Sequence, residues 1–292
     1  MKSHTREVKE GNRFEFGKNW SLFLSGIDED RIRVAVESLQ QYLGVNDLRG
    51  KTFVDVGCGS GLFSLAARRL GARVHSFDYD PESVACGREL RRRFDNDSSD
   101  WTVEEGSALD PEYLKSLGTF DVVYSWGVLH HTGSMWQALE NVIGLVASGG
   151  KLFIAIYNDQ GTISRRWTAV KKLYNRAPAL RFPISFLTAA HFLWRPMLKD
   201  ILKGRPGAFI SSYRNRRGMS YWRDIVDWVG GYPFEVAKPE QIIHFYRDRG
   251  LWLRYLKTCG GALGCNEFVF DSTPNSPSET SRHLVSTGQT NN

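Results

Sequence analysis

The stretch that decides the fold is Lys51-Thr-Phe-Val-Asp-Val-Gly-Cys-Gly-Ser-Gly61, followed by Leu62-Phe-Ser-Leu-Ala-Ala-Arg-Arg-Leu70. Residues 52–56 predict a short buried strand, three alternate glycines end it, and apolar residues return at helical spacing. A strand, a glycine turn and a helix in this order direct backbone N–H groups and a helix N-terminus at a ligand. The motif is G-x-G-x-G and not the G-x-G-x-x-G of a dinucleotide fingerprint, because Leu62 occupies the third slot.

Two carboxylates flank this glycine turn. Asp55 stands two residues before the first glycine, within reach of a cationic ligand group. Asp78 directly follows the next predicted strand, Arg73–Phe77. At this place a carboxylate can accept hydrogen bonds from ribose hydroxyls. Asp80 precedes Pro81, which is typical of a helix N-cap followed by the first helical residue. We therefore expect Asp78 to hold a ribose and Asp80 to cap a helix.

A family resemblance rests on three elements in order: Val54–Gly61, Asp78 and the later segment Phe120–His131. Together they resemble the class I S-adenosylmethionine (SAM)-dependent methyltransferases, and among these the group that includes ubiquinone-biosynthesis O-methyltransferases. The resemblance covers roughly residues 45–158 and resumes over 238–271. It implies an α/β, Rossmann-like fold with a mostly parallel seven-stranded sheet, helices on both faces, and SAM as the cofactor.

The resemblance also implies which residues contact SAM. The glycine turn borders the methionine and ribose portions, with Asp55 near the amino group and Asp78 at the ribose. Ser107 and Ala108, after the third predicted strand, contact the adenine, although the family often has an aspartate near position 107. Trp126 ends the fourth predicted strand and borders the cofactor. The predicted cofactor-binding residues are Asp55, Gly57, Gly59, Gly61, Asp78, Ser107, Ala108 and Trp126.

Two adjacent histidines follow the fourth predicted strand. His130 and His131 are the candidates for a general base, because imidazole titrates near neutral pH and accepts a proton from a nucleophile. Adjacent side chains rarely point to one place, so we expect at most one of the two to be catalytic. The alternative, in which one histidine packs and the other is solvated, stays open. An amine or thiol nucleophile would need no base.

The stretch 159–237 interrupts the family pattern. The pattern predicts a helix near 134–147 and then a fifth strand, Lys151–Tyr157. After this strand the plain fold continues with a helix and two strands, which here return only from Lys238. The intervening stretch is helical in pattern, so we predict a mainly helical cap insertion beside the rim of the active site. The predicted substrate-contacting residues are Tyr157, Trp222, Asp224 and Tyr232.

The formal net charge of +6 is concentrated in this insertion. Between Asp159 and Gly218, 13 Lys and Arg residues are opposed only by Asp159 and Asp200. Such a patch can meet phosphates, an acidic substrate or an anionic membrane surface, and a merely solvated face is the alternative. The apolar run Phe182–Trp194 is too short to span a bilayer. A buried cap helix is favoured over peripheral membrane contact.

The remaining segments are assigned more simply. Phe14, Phe16 and Trp20 predict either a lid over the cofactor or packing on the first long helix, and residues 1–10 are predicted to be disordered. No Cys or His has metal-ligand spacing, and no signal-peptide pattern opens the sequence, so the cytoplasm is the default. The predicted parts are 1–44 (N-terminal segment and lid helix), 45–158 (SAM-binding core), 159–237 (cap insertion), 238–271 (end of the core) and 272–292 (disordered tail).

These observations predict a SAM-dependent methyltransferase acting on a small-molecule acceptor, with O-methylation favoured over N- or S-methylation. One alternative is an RNA or tRNA methyltransferase that holds phosphates with the basic insertion, for which strong salt dependence is expected. Another is a SAM-binding module without catalysis. Loss of Asp78 or of a loop glycine would indicate that module, and this chain retains both.

Overall fold

The computed structural model describes residues 3–24, 26–96, 98–217 and 221–273, so residues 274–292 of the predicted disordered tail lie outside the described part. Seven strands form one sheet in the order β3-β2-β1-β4-β5-β7-β6. The strands are β1 (Thr52–Val56), β2 (Arg73–Asp78), β3 (Trp101–Glu105), β4 (Phe120–Trp126), β5 (Val146–Tyr157), β6 (Trp252–Lys257) and β7 (Cys265–Asp271).

Helices alternate with these strands and also form the insertion. The helices are α1 (His4–Lys9), α2 (Gly17–Leu24), α3 (Glu29–Leu43), α4 (Leu62–Arg69), α5 (Pro81–Phe94), α6 (Pro111–Leu117), α7 (Met135–Asn141), α8 (Thr162–Arg176), α9 (Arg181–Leu202), α10 (Ala208–Arg217), α11 (Tyr221–Gly230) and α12 (Pro239–Arg247). The first five strands are parallel, and β7 runs antiparallel to both β5 and β6.

The side chains of β1 alternate between the two faces of the sheet, and both faces are covered. Phe53 packs into a cluster with residues of α3, α4 and α5. Val54 and Val56 face a second cluster that includes residues of α6, α7 and α12. Side chains of successive strand residues point to opposite faces, so a central parallel strand is apolar on both. The predicted Rossmann-like methyltransferase fold is confirmed.

The sheet order fixes where a ligand binds. β1 pairs with β2 on one side and with β4 on the other, so the strand order reverses at β1. In open parallel sheets ligands bind beyond the carboxyl ends of the strands at such a point. The glycine turn after β1 and the segment after β4 both begin there.

The insertion, helices α8 to α11, leaves the sheet and returns to it at one point. The Ala237 amide donates to the Tyr157 carbonyl at 3.0 Å, and the Asp159 amide donates to the Ala237 carbonyl at 3.1 Å. Asn158 and Ala237 form a parallel bridge between these bonds. The two ends of the insertion are therefore hydrogen-bonded to each other beside the last residue of β5.

Three local predictions are wrong. The predicted helix 134–147 ends at Asn141, and after a 3-10 turn the chain pairs Val146 with Phe120 as the start of β5. Residues 4–9 are not disordered but form α1, because His4 is buried with its ring against Tyr79. The helix α9 is not a buried cap helix, since one of its faces is exposed.

Candidate active site

The glycine turn is pinned to the end of β2. The amides of Gly57 and Cys58 donate to the Phe77 carbonyl at 2.9 and 3.1 Å, and the Gly59 amide donates to Asp78 Oδ2 at 2.9 Å. Gly57 has a φ of +78°, and a Cβ there would lie 2.2 Å from the Val128 side chain. Only glycine satisfies both the backbone conformation and this close approach.

Asp78 is placed to receive further hydrogen-bond donors. Its Oδ2 accepts from Gly59, and its Oδ1 accepts from the Asp80 amide at 2.9 Å. Burial nevertheless raises the pKa of Asp78 to about 6. Additional donors such as ribose hydroxyls would favour the charged carboxylate. Asp78 and the glycine turn therefore fit the ribose side of SAM.

Asp55 lies beneath the turn instead of at its open side. Its buried carboxylate accepts from Ser64 Oγ, Ser64 accepts from Ser76 Oγ at 2.8 Å, and Ser76 accepts from the Trp101 indole at 2.8 Å. Burial raises the pKa of Asp55 to about 7. This buried chain joins β1, α4, β2 and β3, so Asp55 supports the turn from below, and its predicted contact with an amino group stays a prediction.

The other predicted cofactor-binding residues, Ser107, Ala108 and Trp126, divide into two groups. The turn at Ser107 lies beside Asp78, because the Gly106 amide donates to the Asp78 carbonyl at 3.0 Å. Ser107 Oγ accepts from the Leu109 amide, and Ala108 packs in the apolar core. Trp126 is exposed, and its indole N–H lies 3.4 Å from Glu267 on β7. Trp126 is thus directed across β5, away from the glycine turn.

His130 and His131 come together, contrary to the expectation that adjacent side chains diverge. They lie in a 3-10 turn, Leu129–His131, with ring centroids 4.5 Å apart. The Tyr157 ring is 4.1 Å from His130 and 5.5 Å from His131. Both rings are buried beside Tyr157, the last residue of β5.

Hydrogen bonds to the backbone hold both histidine rings. His131 Nδ1 lies 2.6 Å from the Pro233 carbonyl, which only accepts, so Nδ1 carries the proton and Nε2 is an acceptor. The Tyr157 amide lies 3.4 Å from His130 Nδ1, and Ala155 of the same strand also forms a backbone hydrogen bond with the His130 ring. His130 Nε2 is buried without a partner among the described residues. Burial lowers the pKa of His131 to about 3 and that of His130 well below its usual value.

A buried lysine of α8 completes this group, and the sequence analysis did not identify it. Lys171 Nζ donates to the Trp228 carbonyl and lies 4.2 Å from the Trp228 ring centroid and 4.7 Å from that of Phe234. Burial lowers the pKa of Lys171 to about 7. Both aromatic rings also contact Tyr157. We call His130, His131, Tyr157, Lys171, Trp228 and Phe234 the histidine–lysine cluster.

Neighbouring side chains hold the lysine in place. Asn175 Nδ2 donates to the Lys171 carbonyl at 2.9 Å and to the Gly230 carbonyl at 2.7 Å, which ties α8 to α11. Asp227 accepts from Asn19 of α2, and burial raises the pKa of Asp227 to about 7. The sequence did contain a signal, since Lys171 lies at helical spacing between Trp167 and Tyr174.

Three of the four predicted substrate residues lie outside the cluster, and Tyr157 alone belongs to it. Trp222 is exposed and packs 6.0 Å from Phe182 of α9. Asp224 accepts from the Tyr213 hydroxyl within the insertion. Tyr232 contributes its carbonyl to the Phe14 amide at 2.8 Å. At 100° per residue, Trp222 stands about 120° from Trp228 around α11, so the two side chains point to different faces.

The N-terminal segment lies across both halves of the site. Arg13 donates to the carbonyls of His131 and Thr132 at 2.8 and 3.2 Å, and the Phe16 ring is 5.0 Å from that of His131. Trp20 covers the glycine turn, because a Cβ on Gly59 would lie 3.1 Å from its indole. These contacts bring Phe16 to His131 and Trp20 to the glycine turn, and the lid stays a prediction.

Comparison with protein families and curated proteins gives the family. The sequence model of the methyltransferase domain family matches residues 27–200. The ubiquinone biosynthesis O-methyltransferase of Xanthomonas oryzae pv. oryzae is 35% identical over 112 residues, which are 38% of this chain and 45% of that protein. Its counterpart in Xanthomonas euvesicatoria pv. vesicatoria is 34% identical over 114 residues. The chain thus matches less than half of the length of these relatives.

Solved structures share the fold at low identity. Magnesium protoporphyrin IX methyltransferase from Synechocystis PCC 6803, solved with bound S-adenosylhomocysteine, has a TM-score of 0.53 and 15% identity over 91% of this chain and 98% of that one. An O-methyltransferase family protein from Burkholderia thailandensis has a TM-score of 0.50 and 16% identity, and the match covers 84% of this chain and 58% of that one. The fold, the glycine turn with Asp78 and the family match agree: this chain belongs to the methyltransferase domain family, whose cofactor is S-adenosylmethionine.

Proposed function

We propose that the protein transfers the methyl group of SAM to an oxygen of a small acceptor that carries an acidic hydroxyl or a carboxylate. The observation that carries this proposal is the His131 Nδ1–Pro233 hydrogen bond of 2.6 Å, which leaves Nε2 as an acceptor in a cluster that also contains the buried Lys171. The partial match to O-methyltransferases of ubiquinone biosynthesis supports oxygen as the methylated atom.

The cofactor side is formed by the glycine turn and Asp78. The amides and the N-terminus of α4 face the end of β1, and Asp78 holds hydroxyl groups. SAM supplies a methyl group activated by its sulfonium. The protein must therefore hold the acceptor in line at near-attack distance and keep water out. The Phe16 and Trp20 rings, which lie over His131 and Gly59, exclude water from this position.

The acceptor side is the histidine–lysine cluster. A hydroxyl group must lose its proton as its oxygen gains the methyl group, and in this proposal His131 Nε2 accepts that proton. Burial holds the pKa of His131 at about 3, so an acidic hydroxyl is needed, and the oxyanion that it forms beside the ring would raise that pKa. His130 Nε2 has no hydrogen-bond partner among the described residues, and in this proposal it donates to the same oxygen or a neighbouring one. A carboxylate acceptor is already ionised and needs only these donors.

Lys171 favours an acidic acceptor over an amine. An oxyanion next to a buried ammonium group is stabilised strongly, because the surroundings screen the interaction poorly. The same charge repels a protonated amine. Burial alone lowers the pKa of Lys171 to about 7, and an anionic acceptor would raise it again. The rings of Tyr157, Trp228 and Phe234 provide the flat apolar walls that suit a compact aromatic molecule.

The test uses SAM with a labelled methyl group and a panel of phenols, carboxylic acids, amines, thiols and total RNA. We expect label in the phenols or carboxylic acids. His131→Asn keeps a donor for the Pro233 carbonyl and removes the Nε2 base, so for a phenol the rate should fall about 10²- to 10⁴-fold with unchanged SAM binding. His75→Asn, on β2 beside Glu104, is the matched control and should remain active. Label confined to amines or to RNA would overturn the proposal, as would full activity of His131→Asn on phenols.

A further inference from the structure

The helix α9 has one buried and one exposed face. It runs from Arg181 to Leu202, about 33 Å at 1.5 Å per residue. Ser185, Thr188 and Ala189 are buried where it packs on its neighbours, and Phe192 stacks on Trp167 of α8 at 5.6 Å. The inner face thus carries small, partly polar side chains, and it already packs against the rest of the insertion.

The outer face is apolar although it faces solvent. Its large apolar side chains are 48% to 78% exposed, namely Phe182, Phe186, Leu187, Trp194, Leu198, Ile201 and Leu202. At 100° per residue, the positions from Phe186 to Leu202 span an arc of about 160° that contains no Asp, Glu, Lys or Arg. A surface helix normally turns its polar side chains to solvent and its apolar side chains to the core. A contiguous apolar face that is exposed marks an interaction site.

Positive charge borders this face. Arg181, Arg195 and Lys199 lie beside the arc, and the Arg195 guanidinium is 5.1 Å from the Trp194 ring centroid. Asp200, the one acidic residue of α9, accepts a hydrogen bond from the Phe209 amide. Two copies of this surface would bring like charges together, whereas an anionic surface would attract them.

We propose that the outer face of α9 binds the surface of an anionic lipid bilayer, with the helix lying in the interface plane. A basic amphipathic helix with Trp, Phe and Leu on its apolar face has the features of such helices. None of the helices in the described ranges is long and apolar enough to cross a membrane, which agrees with attachment at the surface. The surface includes no residue of the histidine–lysine cluster, so the proposal is independent of the proposed function.

Docking on lipid also orients the active site. The inner face of α9 packs on α8 and α11, and these two helices carry Lys171 and Trp228. The insertion therefore forms a continuous layer between the lipid-binding face and the histidine–lysine cluster. Attachment would hold the cluster at a fixed distance from the bilayer, about one helix layer away.

The test is co-flotation of the full chain with vesicles of phosphatidylcholine, with and without phosphatidylglycerol. We expect binding to the anionic vesicles that weakens with added salt. Leu187→Glu with Leu198→Glu should reduce that binding more than about tenfold, because it places two carboxylates on the apolar face. Val34→Glu, at an equally exposed apolar position of α3, is the matched control and should bind as the native chain does.

Four outcomes would overturn the proposal. The native chain could fail to float with anionic vesicles, or it could bind neutral vesicles equally well. The double variant could retain full binding while unfolding at the native temperature. A dimer of the native chain by light scattering that the double variant abolishes would show that a second copy covers this face.

Discussion

The Gly17 amide donates to Asp80 Oδ2 at 2.8 Å, while Oδ1 of the same carboxylate accepts from the Glu82 amide at 3.0 Å. Asp80 is thus the predicted N-cap of α5 and also holds the first residue of α2. His4 Nε2 lies 3.6 Å from the same Oδ2. One side chain at the end of β2 therefore fastens the N-terminal segment to the core.

Asp80→Ala should release this segment. We expect the free energy of unfolding to fall by about 1–2 kcal/mol, since an N-cap is lost. Amide hydrogen exchange of residues 13–20 should accelerate. The control Asp28→Ala removes the N-cap of α3, where Asp28 Oδ1 accepts from the Arg31 amide at 3.0 Å. It should lower the free energy of unfolding by a similar amount without accelerating exchange of residues 13–20. Unchanged exchange in Asp80→Ala would show that Arg13 and Phe16 hold the segment unaided.

Binding of SAM should weaken in mild acid because of Asp78. The folded pKa of about 6 lies above the usual 3.8, so the carboxylate gains its proton as the pH falls below 6. A carboxylic acid accepts ribose hydroxyls poorly, so the dissociation constant should rise about tenfold per pH unit below that point. Calorimetry between pH 5 and 8 measures this.

Two variants make the pH test specific. Asp78→Asn should bind SAM weakly and without the break near pH 6. Asp55→Asn keeps an acceptor for Ser64 and should retain the break, since Asp55 lies beneath the turn. A dissociation constant of the native chain that stays constant down to pH 5 would contradict the assignment of Asp78.

Lys171→Met should increase stability and reduce activity. The folded pKa of about 7 lies below the usual 10.5, so between pH 7 and 10.5 the unfolded chain binds more protons and native stability rises with pH. Methionine removes the cost of burying the charge, which at pH 6 should raise the free energy of unfolding by about 1–4 kcal/mol. This gain should shrink towards pH 10.

Chemical denaturation at several pH values checks this prediction. Lys172→Met changes the exposed neighbour and should show no such pH-dependent gain. If Lys171→Met is destabilised at every pH, the hydrogen bond to the Trp228 carbonyl outweighs the burial of the charge. Full activity of the variant on an acidic acceptor would remove Lys171 from the proposed function.

Gly57→Ala should be more damaging than Gly44→Ala, although both residues have positive φ. Gly44 ends α3 with no heavy atom within 4 Å of an added Cβ, so alanine there costs only the left-handed conformation, about 1 kcal/mol. At Gly57 the Cβ overlaps Val128, and moving that side chain should add about 1–3 kcal/mol. Thermal unfolding compares the two variants, and equal losses would show that Val128 moves freely.

Much of the core could be predicted from local pattern. The predicted strand 52–56 agrees with β1 because glycines bound a short apolar run, and Asp80-Pro81 marked the start of α5 correctly. The boundary between α7 and β5 could not be predicted this way. There the pairing of Val146 with Phe120 on β4, a tertiary contact, overrides helical periodicity.

The residues on the acceptor side were harder to predict from the sequence. His130 and His131 could be named from their residue type, but their convergence depends on a 3-10 turn and on Tyr157 from another strand. Lys171 resembled one more surface cation, since only the packing of α8 against α11 buries it. The direction of Trp222 likewise depended on which face of α11 meets α9.

The junction of the insertion has a consequence for protein engineering. Because Tyr157 and Asp159 are both hydrogen-bonded to Ala237, a short turn between Asp159 and Ala237 would close the gap that removal of residues 160–236 leaves. The range of acceptors would then diversify by exchange of the insertion. Each new insertion would meet the same glycine turn and the same two histidines, but it would have to supply again the carbonyl that Pro233 offers to His131 Nδ1.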